Sequence, residues 1–239
     1  MAKLFRLFSY FGAKHAFSHK YPAPKWATIV EPFAGSAAYA CCYPNRKVLL
    51  YDVNPRVFGV WDYLIKVSYK ELISLPTEFD RVDDLTHLPQ EARWFMGFWV
   101  KAGQSEPGMK PGPWMLTQRS RSALWSAATR RRVAEQLEHI RHWKVYNSCY
   151  DECPNVGATW FIDPPYQRSG TYYTFNDINY TYLGHWAARR KGQTICCGQD
   201  GDNWVPFRPF MVTEGLHVPG GPGKSKEVIW TNSMNGVAK

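Results

Sequence analysis

An α/β fold with a mainly parallel sheet, interrupted by one helical module, is predicted by three features of the chain. Short apolar runs at 27–31, 47–51 and 158–162 each stop abruptly at a proline, glycine or acidic turn, the mark of strands buried on both faces. Helical periodicity follows two of the later runs. Between the second and third lie about 75 residues with no strand–helix alternation, rich in apolar helix and arginine. At 239 residues the chain is long enough for one sizeable core and a small insertion.

Taken in order, the first strand (27–31) runs into Pro32-Phe33-Ala34-Gly35-Ser36 and then the small residues 37–40. This reads as a strand, a tight glycine turn and a short helix stopped near Pro44. The second strand (47–51) ends at Asp52-Val53-Asn54-Pro55. Asp52 lies about 20 residues beyond the end of the first strand, the spacing at which an acid meets a ribose in dinucleotide-binding folds. Together the glycine turn and the acid point to an adenosyl site. From Pro55 to about Ser68 one helical face carries Val57, Val60, Trp61, Leu64 and Ile65.

Residues 70–145 are expected to form the helical module. It contains an apolar helix around 92–100, a flexible Gly/Pro-rich loop at 103–113, Arg119 and Arg121, and a helix running through Val133, Leu137 and Ile140. Arg130, Arg131 and Arg132 would lie near the start of that helix, where cations oppose the helix dipole, so phosphate neutralisation or a solvated basic face would account for them. Strands resume at 158–162, 193–197, 211–214 and 227–231, with a helix near 179–190.

The net charge of +9 favours an anionic partner, nucleic acid first. Aromatic residues at 16%, including eleven tryptophans, exclude a disordered chain. The six cysteines form no CxxC pair, so a zinc site is not expected, and Cys41-Cys42 and Cys196-Cys197 read as buried thiols. His139 and His142 share a helical face, but no third ligand accompanies them. No stretch has membrane-spanning length and the first residues do not read as a signal peptide. A soluble protein of a reducing compartment is expected.

Asp163-Pro164-Pro165-Tyr166 closes the third strand. The prolines cannot donate, so their carbonyls are free to point outward. Asp163 adds a carboxylate, and Tyr166 a flat aromatic face. Acceptors beside a stacking platform suit a planar substrate with an exocyclic amino group, such as adenine; a strand stop followed by a turn is the plain alternative.

Four segments in this order, Tyr10-Phe11-Gly12-Ala13-Lys14, Glu31 to Ser36, Asp52-Val53-Asn54 and Asp163 to Tyr166, make the chain resemble the Dam-type adenine-N6 DNA methyltransferases, particularly their phage-encoded members. The resemblance implies an α/β, Rossmann-like S-adenosylmethionine-dependent methyltransferase sheet with a helical target-recognition insertion. Residues 1–60 would be the cofactor-binding part, 61–144 the insert and 145–239 the catalytic part. It implies methyl transfer from S-adenosylmethionine to adenine N6 of a specific sequence in double-stranded DNA, by base flipping. Asp163, Pro164 and Tyr166 would be catalytic. Tyr10, Lys14, Glu31, Phe33, Gly35, Asp52, Tyr150 and Asp163 would hold the cofactor, and Arg119, Arg121, Arg130, Arg131 and Arg132 the DNA. A cytoplasmic monomer without metal or membrane partner is expected, in a host cell if phage-encoded. RNA adenine or a cytosine amine as substrate, and a catalytically silent DNA-binding relative, are the competing readings.

Three positions depart from the family pattern. Ala13 and Ala37 replace glycines, and Cys149 stands in Cys149-Tyr150-Asp151 where an aspartate usually precedes the aromatic residue. Asp163→Ala is expected to remove activity and spare the fold.

Overall fold

The computed structural model describes residues 3–101, 103–112, 124–168, 170–218 and 221–235. A seven-stranded sheet organises them: β1 (Thr28–Glu31), β2 (Lys47–Asp52), β3 (Lys144–Asn147), β4 (Ala158–Ile162), β5 (Gly192–Gln199), β6 (Arg208–Val218) and β7 (Gly221–Thr231), in the spatial order β3-β2-β1-β4-β5-β7-β6. The first five pair in parallel, whereas β7 inserts antiparallel between β5 and β6. The order reverses at β1, so the ends of β1 and β4 border the crevice where ligands settle in open α/β sheets.

Alternate residues of the central strands feed two apolar layers. Ile29, Phe161, Ile195, Cys197 and Ile229 enter one cluster, and Val30, Trp160, Ile162, Cys196 and Trp230 the other. Burial on both faces is why these strands read as continuous apolar runs. Helix α1 (Pro55–Lys66) opens on Asn54, whose side chain accepts from the Arg56 amide, with proline in the first turn. It buries Val57, Val60, Trp61 and Leu64 between the sheet and α3 (Gln90–Val100). The short α2 (Tyr69–Ser74) has a Ser68/Glu71 capping box. Helices α4 (Ala127–Ala134) and α5 (Tyr180–Ala188) are capped by Ser126 and Asn179.

Four local expectations are corrected. Residues 37–40 do not form a helix: Ala37 takes φ +47°, which breaks the turn, and a 3-10 segment forms at Ala40–Cys42. The helix through Val133, Leu137 and Ile140 ends at Ala134; Gln136 then donates to Val133, tightening the chain into a 3-10 turn at Leu137–Ile140. Arg131 and Arg132 therefore occupy the last turn of α4, where cations complement the dipole. Strand β3 adds a strand at the sheet edge, and β6 and β7 are 11 residues each, longer than the apolar runs at 211–214 and 227–231.

Ahead of β1, the chain is strapped to the later strands by the buried Gln193. Its carbonyl accepts from the Lys25 amide (2.8 Å) and the Thr159 hydroxyl (2.8 Å), while its amide donates to Ala23 (3.1 Å).

Candidate active site

The turn after β1 is built by the acid at the end of β2. Asp52 accepts from the Gly35 amide through Oδ2 and from the Asn54 amide through Oδ1, both at 2.9 Å. Gly35 has φ +44°, and a Cβ there would lie 3.0 Å from the Tyr10 ring, so glycine meets both a backbone and a packing need. Its carbonyl accepts from Trp61 Nε1 at 2.7 Å, which pins the turn to α1. Burial pushes Asp52 up to about 6 against the pull of its two amide donors. Glu31, at the end of β1, is buried and accepts from the Ala40 amide at 2.7 Å; burial pushes it up to about 8.

Glu31, Gly35, Asp52 and Asn54 line a cavity of about 290 Å³ above the carboxyl ends of β1, β2 and β4, close to the lower bound for small-molecule pockets. Tyr10, Lys14, Phe33, Tyr150 and Asp163 also line it. Phe33 and Tyr150 stack with centroids 5.2 Å apart, and Trp186 abuts Tyr150 edge-on. All eight residues expected at a cofactor site thus border one cavity. Asp151 is exposed and does not line it, whereas Cys149 does.

At the end of β4, Asp163 Oδ1 meets the ammonium of Lys14 at 2.7 Å, with Lys14 only 4% exposed. Burial pulls the lysine down, but Asp163 first and Glu227 next more than offset this, so Lys14 stays protonated. The same ammonium lies 4.8 Å from the centroid of the Tyr166 ring. The Tyr166 hydroxyl donates to Glu227 on β7 at 2.6 Å. Tyr180 donates to the Pro165 carbonyl at 2.5 Å, while no described residue donates to that of Pro164. Pro164 and Tyr166 do not line the cavity; Lys14, which does, lies over the tyrosine ring.

Sequence reasoning missed the wall supplied by 173–178, which follows the Asp163 motif in a stretch without periodicity. It also missed Glu106, which accepts from Asn54 (3.2 Å), Arg56 (2.7 Å) and Thr174 (2.6 Å). Glu106 belongs to the loop expected to be flexible. That loop is instead tied down, through Phe11 to Gln104, Gly108 to Gly97 and Val82 to Met109.

The arginines have varied surroundings. Arg130 donates to the Leu75 carbonyl, Arg132 lies 3.9 Å from the Phe5 ring centroid, and Arg131 is exposed. Arg119 and Arg121 lie outside the described residues. His142 contacts the Arg46 carbonyl at 3.0 Å. No cluster of metal-ligating side chains occurs among the described residues, no described helix is long and apolar enough to cross a membrane, and the six cysteines are free.

The parallel sheet with its antiparallel inserted strand, the helices and the cavity at the strand ends make this an α/β, Rossmann-like methyltransferase fold. The family model of the D12 class N6 adenine-specific DNA methyltransferases matches residues 14–92. That span includes Lys14, the Glu31–Ser36 turn and Asp52 and precedes the Asp163 motif, so the resemblance holds there and supports a DNA methyltransferase acting on adenine N6. A solved structure titled as a conserved hypothetical protein of Streptococcus pyogenes is similar at 10% identity over 84% of each chain, with a TM-score of 0.35. No curated protein matches. The residues present fit S-adenosylmethionine: acids at two strand ends, an aromatic wall and a glycine turn admitting close backbone approach.

Proposed function

We propose that the protein methylates adenine N6 in a specific sequence of double-stranded DNA, using S-adenosylmethionine and a base flipped out of the duplex. The observation that carries this reading is Asp163, which borders the acid-lined cavity and is held by Lys14, whose ammonium also lies over the aromatic ring of Tyr166. Asp52 would accept from the ribose hydroxyls, Glu31 would hold the amino-acid end, and Phe33 with Tyr150 would wall the adenine ring. When bound, S-adenosylmethionine supplies an electrophilic methyl group.

The remaining work falls to the chain. The N6 lone pair of adenine is delocalised into the ring and nucleophilically weak. Lys14 holds Asp163 Oδ1, which leaves Oδ2 as an acceptor for one N6 hydrogen, with the Pro164 carbonyl as an acceptor for the other. Two acceptors favour a pyramidal nitrogen with a localised lone pair, and fixed placement contributes the rest. Stacking on Tyr166 would contribute roughly 1–3 kcal/mol, offsetting part of the few kcal/mol lost on unstacking. The module at 61–144 would read the target as part of a cytoplasmic, monomeric enzyme, with Arg119 and Arg121 as its candidate contacts to bases.

The test is incubation with methyl-labelled S-adenosylmethionine and unmethylated DNA or RNA, then digestion to nucleosides. Label in N6-methyldeoxyadenosine is expected. Label confined to RNA or to cytosine, or no label, would overturn the reading.

A further inference from the structure

Glu227 is buried to 5% exposure on β7, paired in register with Gln199 at the end of β5. A carboxylate buried this far is costly unless each oxygen finds a donor. Both do. Oε1 accepts from Ser225, two residues back on the same strand face, at 2.9 Å, and Oε2 accepts from the Tyr166 hydroxyl at 2.6 Å. The acid is thus held by its own strand and bonds the distal atom of an aromatic ring 61 residues away.

Two restraints meet on that ring. Lys14, fixed by Asp163, sits 4.8 Å from its centroid, and Glu227 fixes the hydroxyl. A tyrosine has two soft torsions: anchoring its hydroxyl fixes χ1, whereas the ring plane, χ2, turns about an axis through that oxygen and is restrained by the Lys14 ammonium over the ring. We propose that Glu227 is a positioning residue, which fixes the direction in which the Tyr166 ring projects beside Lys14 and Asp163 before a base arrives. The idea rests on the methyltransferase reading above. It adds that the stacking platform is preorganised from the antiparallel part of the sheet, by a residue outside the four motif segments. Preorganisation of this kind removes an ordering cost that binding would otherwise carry.

The test compares Glu227→Ala, Glu227→Gln and Tyr166→Phe, singly and combined. Glutamine can still accept from Tyr166 and can donate to Ser225, so it should restore most of what alanine loses. Glu227→Ala should lower kcat/KM for DNA about tenfold, the rate equivalent of one lost hydrogen bond, and leave S-adenosylmethionine affinity unchanged by calorimetry. In a Tyr166→Phe background it should have little further effect. A loss of equal size in that background, or a glutamine variant no better than alanine, overturns the proposal.

A readout independent of turnover uses ring-labelled tyrosine and NMR, with the Tyr166 signals assigned by Tyr166→Phe. Glu227→Ala should shift the Tyr166 signals and spare those of Tyr173; unmoved Tyr166 signals overturn the clamp. Should the alanine variant fail to fold, Glu227→Gln and Ser225→Ala supply the same comparison. A wild-type protein that methylates no DNA would sink the functional reading while leaving the NMR result to stand by itself.

Discussion

The carboxyl edge of the sheet and the α4 segment both gather charged side chains, but they use them differently. At the sheet edge, Glu31 and Asp52 are buried and Asp163 half-buried; all three are satisfied by Lys14 or by backbone amides and still border a cavity. In α4, Arg130 is tied to the Leu75 carbonyl and Arg132 to the face of Phe5, while Arg131 is exposed. Charge retained beside open space is available for a ligand. Charge satisfied on a neighbouring element serves packing first. A run of three arginines is therefore not one functional unit, whereas three carboxylates scattered over 132 residues are brought to one cavity.

The sharpest way to break this contrast is Asp163→Ala. It should abolish methyl transfer, and the structure revises the expectation that the fold is spared: Lys14 would be left buried without its carboxylate, a defect on the order of 3–5 kcal/mol. Asp163→Asn should lose activity with a smaller drop in denaturation midpoint. Near-normal turnover in either variant would show that the carboxylate is no acceptor in the reaction.

Removing arginines separates the other side of the comparison. Arg130→Ala should lower stability by about 1 kcal/mol through its lost hydrogen bond, measured by urea unfolding. Arg131→Ala should leave stability unchanged and reduce the log–log salt slope of DNA binding by up to about one unit. Equal unfolding midpoints for the two variants would erase the distinction drawn between them.

Glu31 gives a proton count. Its carboxyl, raised to about 8 by burial, is mostly protonated at neutral pH. A cationic amino group placed beside it favours the ionised form, so S-adenosylmethionine binding at pH 7 should release a proton and tighten as pH rises towards 8. Calorimetry in buffers of different ionisation enthalpy measures the release. Glu31→Gln should remove it; an unchanged release in that variant would assign the proton elsewhere.

The smallest effect concerns Ala37, whose φ of +47° is the left-handed region. Relief of that strain against the backbone entropy of glycine should make Ala37→Gly more stable by roughly 0.5–1 kcal/mol. A destabilised variant would mean that the Ala37 methyl, buried in the core, matters more than the backbone.

Much of this architecture was legible in the sequence because central strands buried on both faces leave uninterrupted apolar runs, as 158–162 does. Strand β3 left no such trace: Lys144, Tyr146 and Asn147 are exposed at the sheet edge. The β6–β7 pair was read short because glycine and proline at 215 and 219–223 resemble a loop. The glycine turn and the Asp163 motif have fixed local spacing and could be read directly. Glu227 and Glu106 could not, since Tyr166 is 61 residues from the first and the partners of the second are 50 to 68 residues away, and no short-range pattern encodes such a pairing.

The Gln193 strap has a consequence for how the molecule is made. Lys25 and Ala23 leave the ribosome about 170 residues before the side chain that secures them, and β1 is synthesised well before its neighbour β4. Helices and turns of the intervening module can form during translation, but the centre of the sheet must wait for its last third. A nascent chain stalled before residue 193 should therefore remain protease-sensitive around residues 20–30, and become resistant there only after β5 has emerged.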